Sequence, residues 1–467
     1  MIEFYYRHFK KNYTAKVQQL IKDIEKLLEL SSIGFDNHID KTVLPSELAH
    51  NLNKKDWEKI NQLYSTLYNN EKRLPSVLKK FINKKDNRKE THFRFIDTFA
   101  GCGGLSLGLD KAGFNAVYVN EIEPKYLESY YFNHNISLDN YYCGDIKNLV
   151  DNINSEQDIF KDIDLIVGGP PCQGFSMANR QRIIDDPRNK LYKYYLQLLN
   201  KVRPKFFIME NVKGMMNKTD EIKDNFHELL GDDYSIEIVL LNAKDFGIPQ
   251  NRERVFVIGS RLNNVRASKI VIDILNERGK RKSFRLQDAL SGLPELLPKR
   301  IKNSRDIENE EIGFKFRKTS IQKNAYSSFI NSVDYDDYIY NHTNRYNNDR
   351  DIEIFNRLPQ GANSLHPSIA DIMPYNNRNH IFKDKYFKLD ESKVSKTITS
   401  HMKFDCNMYI HPTQPRGLSP REAARLQTFP DDFVFMGANN YWYAQIGNAV
   451  PVKLAEIIGQ NIIKYLR

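Results

Sequence analysis

The chain has 467 residues, 40% of them hydrophobic, enough to bury a large core and to divide into two or three domains. A net charge of +10 and a pI of about 9.0 favour a polyanionic partner, although lysine-rich solvated faces and a compositional bias toward Asn, Lys, Ile and Tyr would also raise it. Cys102, Cys143, Cys172 and Cys406 are scattered without CxxC spacing, which excludes a disulfide framework and a cysteine metal cluster, and no apolar run reads as a signal peptide or membrane span. A cytoplasmic protein without metal is expected.

Residues 1 to about 90 form a polar, helix-patterned extension. Val17, Leu20, Ile21, Ile24, Leu27 and Leu28 recur at helical spacing, as do Trp57, Ile60, Leu63, Tyr64 and Leu67. Asn53 or Asp56 can start the second helix, and Pro75 suits the first turn of a third. The segment reads either as a small bundle packed on the main body or as a DNA-binding or dimerising module. A charged linker, 83–90, closes it.

Phe93, Phe95 and Ile96 then predict a strand, followed by a turn at Gly101, Gly103 and Gly104 and a helix opened by Leu105. Such a turn lets a ligand approach the backbone closely, but Ser106 stands where a dinucleotide fingerprint has its third glycine. Ala116–Val119 reads as the second strand. Glu121, just past it, can accept both hydroxyls of a ribose or simply cap a helix. Tyr141-Tyr-Cys-Gly-Asp145 ends in another acid.

Leu165, Ile166 and Val167 predict a buried strand that ends at Gly168-Gly-Pro-Pro-Cys172. Pro170 and Pro171 lack backbone donors, so they turn the chain out of the sheet and present Cys172 at the strand's carboxyl end. Alone, such a cysteine is more often a structural turn residue than a nucleophile. A basic loop follows, with Arg180, Arg182 and Arg188. Phe206–Met209 is a further apolar strand, with Glu210 directly after it, where an ionisable group must be paired or working. Arg252 and Arg254 lead into a strand ending at Gly259. From 263 to 415 the pattern loosens, and Asn363 to Asp405 alternates polar and basic residues with aromatics. Ser419, Pro420 and Glu422 have the positions of N-cap, first helical residue and capping box. The chain closes on Gln445-Ile-Gly-Asn-Ala-Val-Pro451 and a last helix.

The Pro-Pro-Cys-Gln-Gly-Phe-Ser, Glu-Asn-Val, Gln-x-Arg-x-Arg and Gly-Asn-Ala-Val-Pro blocks, in this order, resemble the DNA (cytosine-5)-methyltransferases of bacterial restriction-modification systems. The resemblance covers about 92–262 and 415–467. It implies an α/β, Rossmann-like methyltransferase domain at 91–262, completed by 438–467, a smaller target-recognition domain at 263–437, and the helical extension at 1–90.

It also implies the chemistry. Cys172 would add to C6 of a flipped-out cytosine, a protonated Glu210 would donate to N3, and Arg254 with Arg252 would hold O2 and orient Glu210. The cofactor would be S-adenosyl-L-methionine, held by Asp97, Phe99, Ala100, Gly101, Gly103, Glu121, Ile122, Asp145, Ile146, Pro171, Asn448 and Ala449. The Met177–Arg188 loop would close over duplex DNA. A monomer associated with the nucleoid is expected, with a cognate restriction endonuclease linked in function but not bound and with no membrane partner. An RNA methyltransferase of the same fold would carry a Cys-Phe-Thr segment, whereas Cys406 here is followed by Asn407 and Met408. A repressor acting through the N-terminal helices is the non-enzymatic alternative.

Overall fold

A computed structural model describes residues 1–35, 52–82, 93–154, 157–171, 190–302, 308–319, 323–332, 337–373 and 385–467. The nucleophile loop from Cys172 to Asn189, the 83–90 linker and part of the 363–405 segment lie outside them. Among the described residues, no helix is long and apolar enough to cross a membrane, and no group of acidic, His or Cys side chains could hold a metal ion.

Among the described residues, four α-helices open the chain: α1 (Ile2–His8), α2 (Tyr13–Leu30), α3 (Lys54–Asn69) and α4 (Ser76–Ile82). The six apolar residues at helical spacing on α2 are all buried. Asn53 caps α3 by accepting the Asp56 N–H at 2.9 Å; Ile60, Leu63 and Leu67 are buried, while Tyr64 falls off the stripe and is exposed. Pro75 lies just before α4, its carbonyl accepting the N–H groups of Leu78 and Lys79.

The main body is built on seven strands: β1 (Arg94–Thr98), β2 (Asn115–Glu121), β3 (Tyr141–Cys143), β4 (Leu165–Gly168), β5 (Phe206–Val212), β6 (Ser235–Asn242) and β7 (Glu253–Ser260). Between them run α5 (Gly104–Ala112), α6 (Pro124–Asn133), α7 (Ile146–Asn152), α8 (Lys190–Val202) and α9 (Thr219–Leu230). The sheet order is β3-β2-β1-β4-β5-β7-β6, parallel from β3 to β5, with β7 antiparallel to both neighbours. Its strands read as near-continuous apolar runs because both faces are covered. Phe95, Leu165, Val167, Phe206 and Ile208 enter one core, and Ile96, Ile166, Phe207 and Met209 the core on the other side.

The loosely patterned segment contains α10 (Ala267–Leu275), α11 (Leu286–Leu290), a hairpin of β8 (Gly313–Lys318) and β9 (Tyr338–Thr343) enclosing α12 (Ala325–Ile330), and α13 (Asp349–Arg357). After it come α14 (Pro420–Leu426), α15 (Asn439–Asn448) and α16 (Val452–Ile463). The capping box at Ser419 and Glu422 forms as the spacing predicts. Gly447 and Asn448 close α15. The last helix, α16, returns to α5; a Cβ on Gly108 would lie 2.4 Å from the Ala455 Cβ, so only glycine allows this approach.

Candidate active site

A cavity of about 570 Å³ opens where β1 and β4 leave the sheet in opposite directions, the switch point at which open α/β sheets bind ligands. Its wall takes residues from the ends of β1, β2, β4 and β5, from the loop after β3, and from the end of α15. Of the residues expected to hold the cofactor, all line it except Gly103. That glycine sits behind the turn at φ +90°, where a Cβ would meet the His134 Nε2 at 2.3 Å.

The β1–α5 turn is conformationally demanding. Phe99, at φ +56°, is a non-glycine residue in left-handed backbone, and Gly101 follows at φ +57° with open space where a side chain would stand. Glu121 braces the turn: its carboxylate accepts the Gly101 N–H at 2.7 Å and the Glu123 N–H at 2.9 Å. Burial raises its pKa against those hydrogen bonds. Behind it Asp97 is fully buried. Tyr130 donates to the Ser106 hydroxyl at 2.7 Å and Ser106 to Asp97 at 2.5 Å, so the residue that breaks the dinucleotide pattern is the donor that Asp97 needs. Burial pushes Asp97 up to about 8 despite that bond. Asp145 caps α7 through the Lys147 N–H, and its half-buried side chain borders the same space.

Across the cavity, β5 runs on through Asn211 and Val212, so Glu210 lies within the strand, opposite Phe256 of β7, and not after it as the sequence suggested. The Arg254 Nε contacts Glu210 Oε1 at 2.9 Å. Burial raises the Glu210 pKa, and the charges of Arg254 and Arg252 pull against it. A Cβ on Gly169 would stand 3.1 Å from Glu210 Oε2, so the turn after β4 leaves room for this carboxyl. Asn211 donates to the Pro170 carbonyl at 3.0 Å, which ties the Pro-Pro turn to β5.

The family of C-5 cytosine-specific DNA methylases matches residues 93–464. The chain belongs to that family. It is a DNA (cytosine-5) methyltransferase. It is 33% identical over 380 residues to type II methyltransferase M1.HphI of Haemophilus parahaemolyticus, covering 79% of this chain and 86% of the relative. It is 32% identical over 379 residues to M.FnuDI of Fusobacterium nucleatum, covering 79% and 94%. A solved E. coli structure, described as a DNA modification methyltransferase encoded within a prophage, is 27% identical, with a TM-score of 0.60 over 80% of this chain and 99% of the other.

In the methylase the two arginines of the Gln-x-Arg-x-Arg block part company. Arg252, expected to share the base with Arg254, gives its terminal nitrogens to carbonyls: Ile398 at 2.6 Å, Gly447 at 3.1 Å and Ala449 at 2.9 Å. Burial and the neighbouring Arg254 bring its pKa down to about 9. It precedes β7 and so escapes the strand alternation that would aim it with Arg254. Gln250 extends the knot, donating to the Leu426 carbonyl and the Gln427 side chain and accepting the Ile398 N–H, all at 2.9 Å.

This knot brings Thr399 and Ser400 into the cavity wall, which sequence reasoning missed. Gly447 carries the signal: a Cβ there would lie 2.1 Å from the Ser400 N, so the glycine of the last block marks a backbone crossing. Tyr126, Asn211 and Gln445 also border the cavity without having been singled out. Around α14, fully buried arginines hold the neighbouring loops by their carbonyls. Arg421 bonds Tyr340, Pro430 and Phe433, while Arg425 bonds Ser291 and forms a two-point ion pair with Asp431.

Proposed function

We propose that this methylase transfers a methyl group from S-adenosylmethionine to C5 of a cytosine flipped out of duplex DNA, through a covalent Cys172 adduct, and that it protects host DNA in a restriction-modification system. The observation that carries the reading is one cavity with two chemically opposite walls. The described residues of the β1–β3 wall bring the carboxyl groups of Glu121 and Asp145, with Asp97 buried behind them, and no lysine or arginine. Such a wall repels a pyrophosphate and suits a cationic sulfonium beside a ribose. The open space at Gly101 gives that ligand a backbone cradle. The β5–β7 wall brings Glu210 and Arg254, and Arg252 lines the cavity beside them.

On this reading Glu121 accepts the ribose hydroxyls, Asp145 faces the adenine, Phe99 packs beside it, and Asn448 lies by the methionine moiety. When bound, S-adenosylmethionine supplies the electrophilic methyl that C5 takes. The Cys172 thiolate adds to C6, which makes C5 nucleophilic. Glu210, in its acid form, which burial favours, donates to N3 and stabilises the charge that develops in the ring. Arg254 orients Glu210 and faces O2; Arg252 is a positioning residue. Loss of the C5 proton then releases Cys172 and the product. The target base must leave the stack because C6 is unreachable inside a duplex. The catalytic domain is 91–262 with 438–467, and 263–437 reads the DNA.

The test is transfer of labelled methyl to duplex DNA by wild type and Cys172→Ser, with the product mapped by bisulfite sequencing. Label as 5-methylcytosine at one short motif, lost in the variant, supports the reading. Label on tRNA alone, or repression of transcription without transfer, sinks it.

A further inference from the structure

Tyr126 lines the cavity from the first turn of α6, yet it takes no part in the chemistry proposed above. Its ring is held in place. It packs edge-on against Tyr441 of α15 with centroids 6.5 Å apart, and α6 is tied to the chain before α15 by Asn133–Val434 bonds of 2.7 and 2.8 Å and a Ser129–Met436 bond of 2.7 Å. Its hydroxyl has no hydrogen-bond partner among the described residues. By contrast, the amides of Asn120, Asn211 and Gln445 in the same cavity all donate to backbone carbonyls.

The surroundings of this hydroxyl are acidic. Burial, and after it the charges of Glu123 and Glu121, push the Tyr126 pKa up to about 12. Lys125, the neighbouring cation, is turned to Tyr441, whose hydroxyl it meets at 2.5 Å, and does not line the cavity. The Cys102 thiol also acts on Tyr126, and that thiol donates to the Gln445 carbonyl at 3.8 Å, three residues before Asn448 on α15. Tyr126 therefore stands between Glu121, read as the ribose acid, and the end of α15, read as the methionine end.

The methionine moiety of S-adenosylmethionine carries one carboxylate and one ammonium. The carboxylate is drawn to the start of α5, where no side chain caps the helix and Gly104 and Leu105 border the cavity. An anion beside Glu121 and Glu123 would be repelled, whereas an ammonium gains from both charges and has three N–H groups to satisfy. We propose that Tyr126 is a further cofactor-binding residue, its hydroxyl oxygen accepting an N–H from the ammonium of the methionine moiety. The inference rests on the reading of the cavity as an S-adenosylmethionine site. The ammonium is unchanged by methyl transfer, so the contact acts on cofactor affinity and not on the chemical step.

The test is calorimetric titration of the full chain, wild type and Tyr126→Phe, with S-adenosylhomocysteine, with its deaminated analogue, which keeps the carboxylate, and with methylthioadenosine, which lacks the amino-acid half. Tyr126→Phe is expected to weaken S-adenosylhomocysteine on the order of tenfold and the other two ligands by less than about twofold. In turnover, the KM for S-adenosylmethionine should rise by the same order while kcat stays within about twofold. Equal loss on the deaminated analogue would assign the hydroxyl to the carboxylate, and equal loss on methylthioadenosine would assign it to the nucleoside. Either result overturns the ammonium contact, as does unchanged affinity for S-adenosylhomocysteine. Phe keeps the ring that packs on Tyr441, so the variant should melt like wild type. If it does not fold, equal wild-type affinity for S-adenosylhomocysteine and its deaminated analogue is the overturning result. Wild type that binds none of these ligands sinks the cofactor reading itself, whereas a failed ammonium contact leaves wild-type binding and transfer intact.

Discussion

Arg254 and Glu210 form a 2.9 Å ion pair in which burial raises the carboxyl pKa and the guanidinium lowers it. The two influences oppose each other, so the proton affinity of Glu210 depends directly on Arg254. On the proposed mechanism the acid form of Glu210 is lost as pH rises through its folded pKa, so the rate is expected to show an alkaline limb. Replacing Arg254 by Gln removes a lowering influence, so that limb should move to higher pH while kcat/KM falls by about two to three orders of magnitude. A pH–rate profile with an unmoved limb would show that Glu210 is not the acid.

Ser106 is the only hydrogen-bond donor given to the buried Asp97 side chain among the described residues. Ser106→Ala should weaken cofactor binding at pH 7 by about tenfold, because losing the donor that lowers the Asp97 pKa lifts it above about 8 and leaves less of the carboxylate at that pH, about tenfold for each pKa unit. The deficit should therefore shrink as pH rises and the carboxylate re-forms. Calorimetric titration at two pH values checks both statements.

Gly447→Ala would place a methyl 2.1 Å from the Ser400 nitrogen. Backbone must move, so a stability loss of about 1–3 kcal/mol and a displaced cavity wall are expected. Gly34→Ala, with nothing within 4 Å, serves as the control and should melt like wild type. Equal melting of both variants by calorimetry would rule out the close crossing.

His342 and His411 are buried beside the Glu422–Arg416 ion pair, and burial brings each imidazole down to about 4. The unfolded chain therefore binds protons that the folded chain refuses between pH 6.5 and 4, so stability is lost as pH falls through that window. Glu422 acts in the same direction at lower pH, since Arg416 holds its carboxyl well below the usual range. Denaturant titrations from pH 7 to 4.5 should show a steady fall, reduced in His342→Gln. A flat profile would place both histidines in water.

The strands and the cavity's inventory were legible because their signals are local. Apolar runs cut by Gly and Pro fix β1, β4 and β5, and Ser419-Pro420 with Glu422 fixes the start of α14. The segment from 263 to 415 resisted because its helices, among the described residues, are at most nine residues and its hairpin is interrupted by α12, so no periodicity accumulates. Buried arginines resisted for another reason: Arg416, Arg421 and Arg425 look like surface charges until their carbonyl partners are known.

The amino-acid sequence by itself determined the order of the blocks, the strand-end presentation of Pro170 and Pro171, and the acids gathered around the glycine turn. Only the tertiary structure decided that Arg254 faces Glu210 while Arg252 ties Ile398 to the end of α15, and that Thr399 and Ser400 join the cavity. Backbone carbonyls stripped of water by distant chain crossings must find donors, and which donor they take depends on contacts more than 140 residues apart that no local pattern encodes.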